Sequence, residues 1–267
     1  PWRVNFTGFS GTFGKNSFSN LDANVSLVGG SPFLKSSGVL VLRPETPPLV
    51  LTDSFPLDGE FQPHLQQTLF MDGEIHAAFH SEGNPTAPET TKDWGDLELK
   101  NLKLKSQKGF QTVSNLSGTL SYSDQGIKLK ALRGNYGKSP VKLDGEIDSG
   151  ANSRWSIRAI SSGFYAEDLK DIPFFETLNF TGSAKLDFSL DGSSQLLRFE
   201  NKIDLTPVAY RYKDVLIKDA EALNKLQLKG RVIGGKTIAI ERLTYELGES
   251  KLAGKVGIKS LDSPVFT

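Results

Sequence analysis

Apolar and polar residues alternate with a period of two along most of this chain, and that pattern limits what it can fold into. The alternation runs through Leu116-Gly118-Leu120-Tyr122, Ile127-Leu129, Val141-Leu143-Gly145-Ile147 and Trp155-Ile157-Ala159. It continues through Leu186-Phe188-Leu190, Leu226-Leu228, Ile238-Ile240, Tyr245-Leu247 and Val256-Ile258. The positions between are mostly Ser, Lys, Asp, Glu and Arg. Successive side chains of a strand point to opposite faces, so each segment reads as a strand with one apolar and one wet face. Turn signals separate them: Asp124-Gln-Gly126, Gly134-Asn135, Asp191-Gly192-Ser193, Gly234-Gly235 and Gly248. Short strands joined by tight turns predict an all-β chain whose antiparallel sheet meanders.

Two stretches follow one template, 112 residues apart at their start. Leu116-Ser-Gly118 to Gly145 and Leu228-Lys-Gly230 to Gly254 each open with an apolar-x-Gly step. Each then reads apolar-x-x-Leu, four residues, Gly-x-Ser and a closing Gly. The first copy places Leu129, Leu132, Gly137, Ser139, Val141 and Gly145 in these positions, the second Ile240, Leu243, Gly248, Ser250, Leu252 and Gly254. Repeats of this kind build extended surfaces more often than enclosed pockets. Shorter echoes occur as Asp-Gly-Glu before an apolar residue (58–61, 72–75, 144–147) and as Asn-Phe-Thr-Gly (5–8, 179–182).

Lys plus Arg number 31 and Asp plus Glu 31, so no net charge points to nucleic acid or an anionic membrane surface. With no Cys, thiol catalysis, disulfides and cysteine-held zinc are excluded. The histidines are His64, His76 and His80; the last two would share a strand face, too far apart for one metal ion. Gly137-Lys138-Ser139 ends like a phosphate-binding loop, but Leu132 stands where that motif needs Gly, and the second copy has Glu249 in place of Lys138. A tight turn is the simpler reading. No Gly-x-Ser-x-Gly elbow occurs. Asp144 with Glu146, and Asp187 with Asp191, sit on alternate strand positions that face water rather than as a glycosidase pair. The chain reads as a non-enzyme, with no cofactor and no metal. No apolar run reaches the ~20 residues of a membrane-spanning helix.

What remains is apolar surface, including seventeen Phe, six Tyr and three Trp. Alternation alone fits two architectures, a closed β-sandwich or solenoid used as a scaffold or adhesin-like module, and one curved sheet with an open apolar face.

The stretch Ile203-Asp-Leu-Thr-Pro-Val-Ala-Tyr-Arg-Tyr212, with Leu226 to Gly254 after it, resembles the C-terminal repeat regions of the AsmA-like family, which includes the TamB-type bridge proteins of Gram-negative bacteria. The shared pattern is a short apolar-Asp-Leu strand, a segment ending in a Lys turn (Val215 to Lys218), an apolar-x-Gly strand and a Gly-x-Ser strand pair. Asn115 to Ile147 and Asp168-Leu-Lys-Asp-Ile-Pro173 carry similar signatures; the resemblance covers roughly 110–258 and is thin over 1–105. It implies a repeating antiparallel β-groove, an elongated curved sheet whose concave face is apolar. It further implies a periplasmic segment of an inner-membrane-anchored protein, its anchor outside this segment, that carries phospholipid between inner and outer membranes. Membrane partners would be engaged through regions outside it. On that reading the groove is lined by Leu116, Leu120, Tyr122, Ile127, Leu129, Val141, Leu143, Ile147, Trp155, Ile157, Leu186, Phe188, Leu190, Leu226, Leu228, Ile238, Ile240, Val256 and Ile258.

The chain begins inside a strand (Trp2, Val4, Phe6) and stops abruptly at Thr267, as an excised segment would. Ser81 to Asp93 reads as a loop and divides a divergent β segment (1–93) from the groove repeats (94–267), which one groove over 1–267 would unite. Arg43 to Pro48 is a lesser boundary. Short helical pieces are expected at 164–178 and 60–69, and 214–225 has helical composition between strand-like flanks.

Overall fold

The computed structural model describes residues 3–44, 68–87, 90–106, 111–149, 153–169, 179–193, 195–212, 216–234 and 237–258. The fold is all-β. Its strands are β1 (Arg3–Phe13), β2 (Asn16–Val28), β3 (Ser31–Leu42), β4 (Thr68–Gly83), β5 (Lys92–Ser106), β6 (Val113–Ser123), β7 (Gly126–Tyr136), β8 (Ser139–Asp148) and β9 (Arg154–Tyr165). After them come β10 (Asn179–Thr181), β11 (Ser183–Ser193), β12 (Leu196–Asp204), β13 (Ala209–Tyr212), β14 (Leu216–Lys218), β15 (Asn224–Ile233), β16 (Thr237–Leu247) and β17 (Ser250–Ile258). Among the described residues, fourteen strands form one sheet in the order β1-β2-β3-β4-β5-β6-β7-β8-β9-β11-β12-β15-β16-β17, which does not close into a barrel. The remaining three, β10, β13 and β14, make a small antiparallel sheet in the order β10-β13-β14.

The chain divides into two compact units, Pro1–Lys108 with Val113–Leu132, and Gly109–Thr112 with Arg133–Thr267. The loop expected over 81–93 is shorter than that and lies within the first unit. There β4 continues to Gly83, β5 opens at Lys92, and Glu82 pairs with Lys92. Within 214–225, the described residues 216–225 are not helical. Leu216–Lys218 is strand β14, paired with β13, and a turn with Glu221 at φ 67° leads into β15. The backbone partner supplied by β13 outweighs the weak helical preference of the segment. Of the piece expected at 164–178, Ala166–Leu169 forms one 3-10 turn and 170–178 lies outside the described residues. Residues 60–67 also lie outside them, while Thr68 and Leu69 open β4.

Five strands of the first unit carry the same irregularity. In Phe6-Thr-Gly8-Phe9, Phe18-Ser-Asn20-Leu21, Leu99-Lys-Asn101-Leu102, Val113-Ser-Asn115-Leu116 and Leu129-Lys-Ala131-Leu132 the third residue has positive φ: 68°, 52°, 52°, 53° and 51°. The pairing of β1, β2, β5 and β6 shifts register at these points, the mark of a β-bulge. One extra residue in a period-two strand would send every later apolar side chain to the wrong face. Here the apolar spacing lengthens from two to three across the bulge, so the apolar set stays on one side. Leu129-x-x-Leu132 of the first template copy is one such bulge. Its counterpart Ile240-x-x-Leu243 is another, since Ile240 pairs with Val256 and Leu243 with Gly254.

The apolar-x-Gly step is explained by its neighbours. A Cβ on Gly118 would lie 2.7 Å from Leu132 Cδ2 and 2.9 Å from the Ala131 carbonyl oxygen. One on Gly230 would lie 2.4 Å from the Ala239 carbonyl oxygen and 2.8 Å from Phe199 Cζ. Glycine stands where a neighbouring strand crowds in beside its own bulge.

Candidate functional site

In the second unit the register aligns the apolar positions into rows. One row runs Gly145, Ile157, Leu190, Phe199, Gly230, Ile240, Val256 across β8, β9, β11, β12, β15, β16 and β17. The row on one side reads Ile147, Trp155, Gly192, Leu197, Val232, Ile238, with the backbone of Ile258 opposite Ile238. The row on the other reads Leu143, Ala159, Phe188, Asn201, Leu228, Leu243, Gly254. A fourth row carries Ser161, Leu186, Ile203, Leu226, Tyr245 and Leu252. Directly paired residues of an antiparallel sheet share a face. The sequence candidates of this unit therefore share one face, with Val141 two positions before Leu143 on β8. Most of these side chains are half-buried.

The first unit has the same construction. One row passes from Phe18 through Leu40, Ala77 and Leu97 to Leu120, and the next from Leu42 through Ile75 and Leu99 to Gly118. Tyr122 pairs with Gly95 and Leu116 with Leu102. Ile75, Ala77, Leu99, Leu102, Ile127 and Leu132 are buried here. Leu129 is half-buried on the same side of β7 as Ile127.

The opposite face is charged. In the second unit one row alternates in sign across five strands: Lys185, Asp204, Lys225, Glu246, Lys251. Arg158 holds Asp187 through two hydrogen bonds of 3.0 and 2.8 Å, which lowers the Asp187 pKa. Asp144, Glu146 and Asp191 also lie on this face, opposite Arg158, Ser156 and Arg198. A depression of about 400 Å³ on the second unit is lined by residues of both faces, Ser161, Leu186, Ile203 and Leu226 of the fourth apolar row and Lys185, Asp187, Lys202, Asp204 and Lys225 of the charged side. In the first unit, His76 bonds Glu74 at 2.9 Å and His80 stacks on Trp94, ring centroids 5.4 Å apart. His64 lies outside the described residues. Among the described residues no group of His, Asp and Glu is placed to hold a metal ion.

One end of the second unit's apolar face is covered. Val208 and Tyr210, next to and within β13, pack with Ala184 against Leu186, Ile203 and Leu205. The Tyr210 and Tyr245 hydroxyls are 3.0 Å apart, and Asn224 Nδ2 donates to Tyr210 Oη at 3.0 Å. Burial, followed by the bond to Tyr210, pushes the Tyr245 phenol up to about 12. The buried Lys218 ammonium donates to the carbonyls of Leu205 (2.9 Å), Thr206 (2.8 Å) and Val208 (2.5 Å), and burial lowers its pKa. The small sheet is thus tied down by a cation bound to backbone oxygens. Two amide oxygens on this face, of Asn201 and Asn224, are shielded and accept no hydrogen bond among the described residues.

Three parts of this surface escaped the sequence. The first unit's rows were read only on β6 and β7, at Leu116, Leu120, Tyr122, Ile127 and Leu129; their continuation through β1 to β5 was missed because bulges break the phase of a strict period-two count. Leu197, Phe199, Val232, Leu243 and Tyr245 join the face as well; β12 alternates readably until Asn201 interrupts it. Nothing in the sequence announced the cover built by β10, β13 and β14. Comparison with protein-family models, with curated proteins and with solved structures found no match.

Proposed function

We propose that this chain is a binding surface for acyl chains, a periplasmic segment of a protein that carries phospholipid between inner and outer membranes without chemistry. The observation that supports it most is the sorting of the second unit's sheet into two faces. Four rows of aliphatic and aromatic side chains line one side and sign-alternating charges the other. Among the described residues, β10, β13 and β14 are the strands that form a separate sheet, and they cover one end of that apolar side. An acyl chain laid on it gains about 0.8 kcal/mol per CH2 withdrawn from water, while its head group stays in solvent. Rows of similar residues bind such a chain weakly and uniformly, so it can slide from strand to strand. The resemblance of 110–258 to the AsmA-like repeats points the same way and is the ground for placing the chain between two membranes.

The test is mass spectrometry of the purified chain under native and extracting conditions, with loading of a fluorescent acyl probe. The wild type is expected to carry phospholipid and take up the probe. Ile240→Glu and Ile238→Glu, on the apolar side, should lose at least tenfold in loading. Thr244→Glu, on the charged side opposite Gln227 and Ala253, should load normally. Folded apolar-side variants that load like the wild type, or a wild type without lipid or uptake, would sink this reading.

A further inference from the structure

We propose that the small sheet of β10, β13 and β14 is a stop for the methyl end of a bound acyl chain, which lies along the strands and has its bound length set there. The inference rests on the acyl-chain reading and specifies how that face is used. The two ends of the second unit's apolar face differ. At one end Val208 and Tyr210, 1 and 8 % exposed, sit with Ala184 on Leu186 and Ile203 of the fourth row. At the other end Trp155, Leu197, Val232 and Ile238 are only half-buried, outside that cluster. From Leu197 to Ile203 the four rows cover six residues of β12, about 20 Å at ~3.4 Å per residue. A phospholipid tail fills about half of a ~30 Å hydrocarbon core. One tail therefore fits between the open end and the small sheet, with its head group in solvent beyond the turns at Gln195 and Gly234.

The small sheet has what a stop needs, a fixed position and a surface that a methylene chain does not cross. The Lys218 ammonium holds the segment entering β13 by its bonds to the Leu205, Thr206 and Val208 carbonyls. The Leu205 N–H donates to the Asn224 carbonyl at 2.8 Å and the Asn224 N–H to Thr206 Oγ1 at 3.2 Å, which ties that segment to β15. The fourth row ends in polar groups: the bonded hydroxyls of Tyr245 and Tyr210, and the fully buried Asn224, which donates to Tyr210. A chain pushed further would break these bonds and leave their atoms unpaired against CH2 groups, a loss that outweighs the burial of another carbon. Sideways movement from strand to strand stays open, because the stop lies at the strand ends.

Two measurements on the wild-type chain test it. Competition against the fluorescent acyl probe gives the affinity of free saturated fatty acids from octanoic to tetracosanoic. Affinity should rise by up to about fourfold per carbon, then level off just beyond palmitic acid, where the ~20 Å span is filled. A chain lying across the strands would have ~29 Å to fill, six spacings of ~4.8 Å, and a rise that continues to tetracosanoic acid overturns the proposal. Photolabelling with palmitic acids that carry a diazirine at the methyl end or beside the carboxyl gives the direction. The methyl-end probe should label Leu186, Ile203 and Val208, and the carboxyl-end probe Trp155, Leu197 and Ile238. The same pattern from both probes, or the reverse pattern, overturns the stop and leaves the acyl-chain reading standing. No competition and no labelling by any chain removes both.

Discussion

The turns Gly137-Lys138-Ser139 and Gly248-Glu249-Ser250 share a backbone and differ in everything around it. Both glycines are left-handed, φ 59° and 56°, and both donate their N–H at 2.9 Å to the residue before an earlier strand: Thr112 before β6 and Leu223 before β15. Asp168, in the 3-10 turn after β9, closes on the first turn. Its Oδ2 accepts from the backbone N–H of Lys138 and Ser139, both at 2.9 Å, and from Ser139 Oγ at 2.6 Å. Ser139 Oγ also accepts from the Tyr165 N–H at 2.8 Å, and Ser139 is fully buried. The second turn stands in solvent, with all three residues exposed. A repeated motif therefore fixed the hairpin twice, and a neighbour made one of the two a buried polar junction.

Alanine at the glycines should separate these contributions most sharply. A Cβ on Gly137 would lie 2.1 Å from Asp168 Oδ1, whereas one on Gly248 meets nothing within 4 Å. Both substitutions carry the left-handed penalty of about 1–2 kcal/mol. Gly137→Ala adds the displacement of Asp168 from its three donors, for a total of roughly 3 kcal/mol or more. Urea unfolding of the two variants measures the gap; equal losses would mean that Asp168 yields freely.

The serines come next. Ser139→Ala removes a donor to Asp168 and an acceptor for Tyr165 at a buried site, with an expected loss of about 2 kcal/mol. Ser250→Ala, at an exposed site, should stay within about 0.5 kcal/mol of the wild type. Chemical denaturation of the pair reads this directly, and a Ser139→Ala variant as stable as the wild type would reduce the junction to a passive contact.

The smallest effect is expected in pH. Near the second turn, Lys251 donates to Glu246 at 2.7 Å and holds its carboxyl below the ordinary value of 4.5. A carboxylate lowered on folding contributes stability that is present above its unfolded value and lost as pH falls through the folded one. Acidification below about pH 4.5 should therefore narrow the difference between the wild type and Glu246→Gln, and high salt at neutral pH should narrow it too. A difference unchanged by either condition would assign the effect to something other than this ion pair.

Much of the fold could be read from residue order. The rows of the second unit follow from Ile157, Leu190, Leu228 and Ile240 standing in period two, because a half-buried strand needs its apolar residues on alternate positions. The first unit was less legible for a specific reason. Gly8, Asn20, Asn101, Asn115 and Ala131 each add one residue to a strand, and a count in twos loses phase at each. Gly and Asn tolerate positive φ, so apolar-x-Gly/Asn-apolar is a signal that sequence could supply; Ala131 would still escape it. Between the helical composition of 214–225 and its strand-like flanks, the flanks prevail over the described residues 216–218, because local propensity is worth tenths of a kcal/mol per residue, less than β13 and the three carbonyls around Lys218 provide.

The sequence by itself determined an all-β antiparallel meander with one apolar and one charged face, and hairpins at its repeated glycines. These depend on near neighbours in the chain, through side-chain alternation and the φ values glycine permits. Tertiary structure alone decided which turn Asp168 would bury, which end of the apolar face β10, β13 and β14 would cover, and how the charges of Lys185, Asp204, Lys225, Glu246 and Lys251 would alternate across five strands. Each of those joins residues from separate strands, and only the pairing register brings them together.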